Sequence, residues 1–273
     1  MYNKELTISI LLTHNCNELC SYCNSFSIHK NYHKSIEVDL HKLHQIKKIL
    51  KDLNIRNIEL TGGEIGLISN INDCIDIFKD FNINIPTNGL YFEHNYIREN
   101  IDYYFHFIKE IKDTQYYNHT ATKIILNNSN VYNVIVGGID MLKFILDNNF
   151  FLGSSYFELM LSKTYILEYK WIPNNGLEHY NSLFNLVHRK FPKLKSSNTK
   201  TPNNNNLKCS IQSKNIKLDL DTMRISQCVH IDDVWEDFTY QKLKKHLNAE
   251  LFKFNPKCLD CTTFQNINNI NNY

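Results

Sequence analysis

The stretch Thr13-His14-Asn15-Cys16-Asn17-Glu18-Leu19-Cys20-Ser21-Tyr22-Cys23 decides how this chain is read. It sets three thiols at C-x3-C-x2-C directly after an apolar run, Leu6 to Leu12. In that run Leu6, Ile8, Ile10 and Leu12 alternate, the period of a strand. Three thiolates can hold three irons of a [4Fe–4S] cube and leave the fourth iron open to a small-molecule ligand. A structural zinc site wants a fourth protein ligand, which His14 can supply. On this motif alone both metals stay open.

The residues around the motif set the compartment and the class. No small-residue cleavage site follows Leu12, so the run reads as a strand and not as a signal peptide. A cytoplasmic protein with reduced thiols is expected. Eight cysteines stand at 16, 20, 23, 74, 209, 228, 258 and 261, and reduced cysteines in such clusters usually bind metal. Lys+Arg is 30 against Asp+Glu 28, a net charge of +2, which calls for neither a nucleic-acid nor an acidic-membrane partner. No apolar run approaches the length of a membrane span. With 42% hydrophobic and 21% charged residues the composition is that of an ordinary globular protein.

Beyond the motif, strand-like and helix-like segments alternate. Asp39 to Leu53 carries Leu40, Leu43, Ile46, Ile49, Leu50 and Leu53 at helical spacing, with Asp39 as N-cap. Ile58 to Thr61 reads as a strand ending in Gly62-Gly63, and Ile71 to Lys79 as a helix. Ile83 to Thr87 is a strand ending at Asn88-Gly89. Tyr103 to Ile108 and Val131 to Val136 are further strands, and Ile139 to Asn148 a helix. Tyr165 to Ile172 is expected as the sixth strand and Leu177 to Lys190 as the sixth helix. Repeated strand and helix predicts a parallel sheet with helical crossovers. Six such units before residue 195 are too few for a closed eight-fold barrel of roughly 250 residues. The expected fold is therefore α/β, a partial (β/α)6 TIM-type barrel over residues 1–195.

Ser196 to Asn206 is a polar, Pro-containing linker. After it, Ile216 to Leu220 and Met223 to Cys228 read as a hairpin and Trp235 to Leu247 as a helix, a small C-terminal domain over 207–265. Residues 266–273 are an Asn-rich tail expected to fray. Cys209, Cys228, Cys258 and Cys261 make C-x18-C-x29-C-x2-C, which suits a four-thiolate zinc site or a four-thiolate iron–sulfur cluster equally.

Glycine placement adds a second signal. The chain has only 8 glycines, and three of them (62, 63 and 89) fall at two strand ends. Glycine there lets backbone groups approach a ligand closely. The C-terminal ends of parallel barrel strands form the active-site face, so the three motifs point into one mouth.

Taken together, Thr13 to Cys23, Leu60-Thr61-Gly62-Gly63-Glu64 and Thr87-Asn88-Gly89 resemble the radical S-adenosylmethionine (SAM) superfamily. The resemblance implies that Cys16, Cys20 and Cys23 ligate a SAM-binding [4Fe–4S] cluster. It also implies that Gly62, Gly63 and Glu64 meet the methionine amino group and that Tyr22 packs near the adenine. Thr87, Asn88, Lys109 and Val136 are the further cofactor-binding positions. The implied chemistry is reductive cleavage of SAM to a 5′-deoxyadenosyl radical that abstracts a substrate hydrogen, with a flavodoxin- or ferredoxin-type electron donor.

The C-terminal cysteines resemble the shortened twitch form of the SPASM auxiliary domain, with one auxiliary [4Fe–4S] cluster on Cys209, Cys228, Cys258 and Cys261 accepting an electron. Asp221-Thr222 stands where that family often has Asp-Gly. The expected reaction is oxidative modification of a peptide in ribosomal natural-product maturation. A leader-binding module would then be a separate protein, because the first barrel strand begins by residue 6. The alternatives are dehydrogenation of a small alcohol, sugar or cyclitol, a redox-neutral epimerisation, or a zinc-binding interaction module with no catalysis. Cys74 shares a helical face with Ile71, Ile75 and Phe78 and is expected to be a core thiol, not a hydrogen donor. No catalytic acid or base stands out.

Overall fold

The structure, a computed structural model, describes residues 6–18, 20, 30–31, 35–108, 122, 125, 128–136, 139–148, 157–160, 185–186, 189–190, 194–196, 215–227 and 235–248. The chain forms two compact units, residues 1–102 with 206–258, and residues 103–205 with 259–273.

The first unit is built on strand β1 (Thr7–Leu11), helix α1 (Leu40–Asp52), β2 (Asn57–Thr61), α2 (Ile71–Ile77) and β3 (Asn82–Thr87). Helix α1 begins where the sequence places it, since the Asp39 carboxylate accepts from the N–H groups of His41 and Lys42. β1 and β2 run parallel with Ile8 beside Ile58 and Ile10 beside Leu60, and β2 pairs parallel with β3. The alternation of the strands sorts two faces. One carries Ile8, Ile10, Ile58, Leu60, Ile83 and Ile85, all buried with Leu43, Ile46 and Leu50 of α1. The other is polar.

The C-terminal hairpin joins this sheet. β8 (Asn215–Asp219) pairs parallel with β1 on the side away from β2, and β9 (Arg224–Ser226) runs antiparallel to β8. Beyond β9 the helix expected from Trp235 starts later. Glu236–Asp237 forms a two-residue strand, β10, against β9, and helix α4 runs Tyr240–Asn248. The reason is Thr239, whose hydroxyl accepts from the Lys242 N–H and whose carbonyl accepts from Leu243. A capping threonine ends the extended segment there.

On the polar face, register sets three unlike side chains abreast: Ser9 of β1 stands beside Glu59 of β2 and Lys217 of β8. The Ser9 hydroxyl donates to Glu59 at 2.7 Å, and Lys217 donates to Ser9 at 2.9 Å and lies 3.4 Å from Glu59. A buried hydroxyl and a half-buried ion pair are satisfied by one another, which removes most of the cost of placing them inside a sheet.

The second unit holds β4 (Ile101–Ile108, beginning in the first unit), β5 (Val131–Val136), β6 (Phe157–Met160) and β7 (Leu194–Ser196), paired in that order and all parallel, with helix α3 (Ile139–Asp147) after β5. Tyr104 and Tyr132 are register partners and stack at 5.3 Å. β6 is a strand that pattern reading did not find. The strand expected at Tyr165 to Ile172 lies outside the described residues, as does most of the helix expected at Leu177 to Lys190, of which 185–186 and 189–190 are helical. Among the described residues no helix is long and apolar enough to cross a membrane.

Candidate functional site

Three segments leave the C-terminal ends of β1, β2 and β3 and lock together. The β1 extension, Leu12 to Cys16, is paired backbone to backbone with the β2 extension. Leu12 N–H donates to Thr61 O, Gly63 N–H to Thr13 O and Glu64 N–H to Asn15 O, each at 2.8 Å. This close approach needs glycine. A Cβ on Gly63 would lie 1.9 Å from Asn15 O, and one on Gly62 would lie 2.3 Å from Thr13 O. Gly62 also has φ +153, a conformation that L side chains rarely adopt.

Glu64 then ties β2 to β3. Its side chain is buried, with Oε1 accepting from the Gly66 N–H and the Thr87 hydroxyl and Oε2 accepting from the Asn88 N–H at 2.7 Å. Burial pushes this carboxyl above its ordinary range, against the three donors that favour its charged form. Thr87 Oγ1 also accepts from Gly89 N–H, and Asn88 Nδ2 donates to Asn17 Oδ1 at 2.8 Å. The Thr-Asn-Gly segment thus reaches both the Gly-Gly-Glu segment and the cysteine loop. Asn17 was not singled out from sequence, because nothing in its spacing distinguishes it from other loop asparagines. An open cavity of about 680 Å³ adjoins this tie, lined by Asn17, Gly66, Asn72, Leu90 and His94 among others.

The cysteine loop is described at two of its three thiols. Cys16 is buried and Cys20 half-buried, and neither is in a disulfide. Glu18 N–H points at Cys16 Sγ at 3.4 Å, and the Cys20 thiol donates to Glu18 Oε2 at 3.2 Å. An N–H aimed at a sulfur suits a metal-bound thiolate. The Cys20 bond exists only for the protonated thiol, and a metal would take the proton's place. Cys23 and Tyr22 lie outside the described residues. The donor chemistry of Cys16 and Cys20 therefore fits a thiolate-bound cluster, and Gly62 and Gly63 let the β2 extension pack against the segment that leads into it.

His14, the fourth ligand that a zinc site would use, is engaged at Nε2 by the C-terminal hairpin. Its Nε2 is 3.2 Å from Asp219 Oδ1 of β8, and since a carboxylate only accepts, Nε2 carries the proton. Asp219 Oδ1 also accepts from Asp221 N–H and Oδ2 from the Thr222 hydroxyl. Burial raises the Asp219 carboxyl, but the hydrogen bonds from His14 and Thr222 outweigh it and hold the group below the ordinary carboxylate range. Asp219 is a second site residue missed from sequence, as its contact depends on β8 pairing beside β1. Asp221 completes a group of three with His14 and Asp219 whose ligand atoms lie within 4.8 Å of one another.

Val136 ends β5, in the second unit. Lys109, Cys209, Cys228, Cys258 and Cys261 lie outside the described residues. Cys74 is fully buried in α2, as expected of a core thiol.

No family model matches the chain, and no curated protein matches it. Solved structures do. SuiB of Streptococcus suis bound to S-adenosylmethionine aligns at TM-score 0.54 and 12% identity, covering 95% of this chain and 71% of that one. SuiB bound to its precursor peptide SuiA aligns at TM-score 0.55 and 13% identity, covering 95% and 70%. The structure of anSMEcpe with bound AdoMet aligns at TM-score 0.58 and 14% identity, covering 95% and 87%. At such identities the likeness shows the fold, a mixed α/β chain with a parallel-rich sheet of the partial-barrel type.

Proposed function

We propose that this chain is a radical SAM enzyme that oxidatively modifies a peptide. The observation that carries the reading is the junction of three segments at the strand ends. The segment that leads into the C-x3-C-x2-C loop is clamped by backbone hydrogen bonds from Gly63 and Glu64 to Thr13 and Asn15, and Glu64 is bonded in turn to Thr87 and Asn88. The fold shared with structures that hold S-adenosylmethionine supports it, and the SuiB complex with a precursor peptide supports a peptide substrate.

Cys16, Cys20 and Cys23 would hold the cluster. When bound, a [4Fe–4S] cluster with SAM on its open iron supplies one electron for cleavage to methionine and a 5′-deoxyadenosyl radical, which takes a hydrogen atom from a substrate carbon. This chain's residues bind and orient. The Glu64 carboxylate already accepts three hydrogen bonds within the fold. A carboxylate has about four acceptor positions, so Glu64, with the backbone carbonyls of Gly62 and Gly63, is proposed to meet the methionine amino group. Tyr22, Lys109 and Val136 are proposed to flank the rest of SAM. Cys209, Cys228, Cys258 and Cys261 are proposed to hold a second cluster that takes up the electron left by an oxidised substrate, and a flavodoxin or ferredoxin is proposed as donor.

Iron and sulfide counts per chain after anaerobic reconstitution test the two-cluster reading. The wild type should hold about eight irons and the Cys16→Ala/Cys20→Ala/Cys23→Ala variant about four. Zinc in place of iron at the C-terminal cysteines would remove the electron acceptor and leave a redox-neutral reaction. Oxidation of sugars or cyclitols, with peptides untouched, would move the substrate to small alcohols.

A further inference from the structure

The segment that presents Cys16 is held from two sides, and the two sides differ. Toward β2 it is held by the three backbone hydrogen bonds of Leu12, Gly63 and Glu64. Toward β8 the backbone pairing stops one residue past the strand, at Leu220 N–H to Leu11 O. Beyond that point the tie described on this side runs through side chains, His14 to Asp219 at 3.2 Å. Both side chains are mostly buried, 13% and 10% exposed. The Asp219 carboxylate is itself aimed, because Asp221 N–H and the Thr222 hydroxyl fix its two oxygens from the β8–β9 turn. The turn is anchored separately by Lys42 of α1, whose ammonium donates to the carbonyls of Leu220 and Asp221.

A carboxylate that holds an imidazole two residues from a proposed cluster thiol restrains that ring, as carboxylates restrain metal-bound imidazoles elsewhere. It fixes the ring, and through the ring the backbone of Thr13 to Cys16. We propose that Asp219 is a positioning residue for the cysteine loop, acting through His14, so that the C-terminal hairpin is a working part of the site at the end of β1. The inference rests on the cluster reading above. It assigns the hairpin turn a task beyond carrying the chain toward Cys228, namely holding the loop in the form that accepts the cluster and its SAM.

The test uses the full chain, reconstituted anaerobically and reduced, with the EPR spectrum recorded as SAM is added. Four proteins are compared: wild type, Asp219→Ala, Asp219→Asn (which keeps an acceptor oxygen for His14) and Lys42→Met (which loosens the turn without touching the His14 contact). Melting temperature and hydrogen exchange of residues 13–18 are measured on each. Asp219→Ala should need about tenfold more SAM for the half-maximal spectral change, the low end of what loss of a partner to a metal-bound histidine costs. Its exchange over 13–18 should rise. Asp219→Asn should recover most of the affinity, and Lys42→Met should stay near wild type in both readouts.

Two results would overturn the proposal. In one, Asp219→Ala shows wild-type SAM response and exchange. In the other, Lys42→Met reproduces the Asp219→Ala loss at the same drop in melting temperature, which would make Asp219 a general prop of the turn. A wild type whose spectrum does not respond to SAM would instead overturn the cluster reading itself, and with it this one.

Discussion

Of Gly62, Gly63 and Gly66, Gly63 has the least room for a side chain. The atoms a Cβ would meet are Asn15 O at 1.9 Å and Asn15 C at 2.4 Å, both backbone, and Asn15 O is fixed by the Glu64 N–H. Gly63→Ala must therefore part the two strand extensions. We expect a loss of about 3 kcal/mol in urea unfolding, with SAM binding lost as well. An unfolding midpoint equal to wild type would contradict the geometry. Cys74 makes the opposite case, a thiol with chemistry available and none expressed. It is fully buried, and burial pushes its thiol up to about 12. Native protein treated with iodoacetamide near neutral pH should leave Cys74 unlabelled and label it only on unfolding. Labelling of Cys74 in the folded state, read by peptide mapping, would reopen its candidacy as a hydrogen donor. Glu64 shows where reading by residue falls short. Its motif marks it from sequence, but the direction of its carboxylate depends on Thr87 and Asn88, some two dozen residues on, and no spacing rule reports that.

Among the elements, those with their own local signals were legible and those made by long-range pairing were not. α1 has its apolar period and its Asp39 cap, and the helix begins at Leu40 as read. β2 ends at Thr61, where Gly62-Gly63 follows, and β3 at Thr87, where Asn88-Gly89 follows. β6 is four residues, Phe-Glu-Leu-Met, with no β-branched side chain, and it is a strand by virtue of its pairing with β5 and β7. α4 starts five residues after Trp235 because its cap is Thr239, which apolar spacing alone does not mark. Helix α1 also carries a testable ion-pair network, in which Lys47 and Lys51 both reach Asp80. Their hydrogen bonds hold the Asp80 carboxyl well below its ordinary 3.8. A depressed carboxylate stabilises the fold above its unfolded value and loses that contribution as pH falls. The three side chains are partly exposed, so salt screens the pair and Asp80→Asn should cost no more than about 1 kcal/mol at pH 7. The difference from wild type should shrink as the pH drops below about 4. Thermal melts across that range check it, and a gap that widens in acid would contradict the sign.

Over the whole chain, the order of β1, β2 and β3 does the assembling. Parallel neighbours end on the same edge, so the cysteine loop, the Gly-Gly-Glu segment and the Thr-Asn-Gly segment meet although they are far apart in sequence. That convergence was legible, because each motif sits at the end of a readable strand. The return of the chain at β8 was not. A hairpin can be recognised locally, yet its parallel pairing beside β1 and the His14–Asp219 contact depend on where some two hundred intervening residues leave it. The proposed function requires this junction to hold a cluster at which SAM is cleaved. The most direct test is 5′-deoxyadenosine formation by anaerobically reconstituted protein with dithionite and SAM, compared with the Cys16→Ala/Cys20→Ala/Cys23→Ala variant. The account predicts 5′-deoxyadenosine from the wild type and none above background from the variant. Equal product from both, or none from a wild type that carries its full iron, would contradict it.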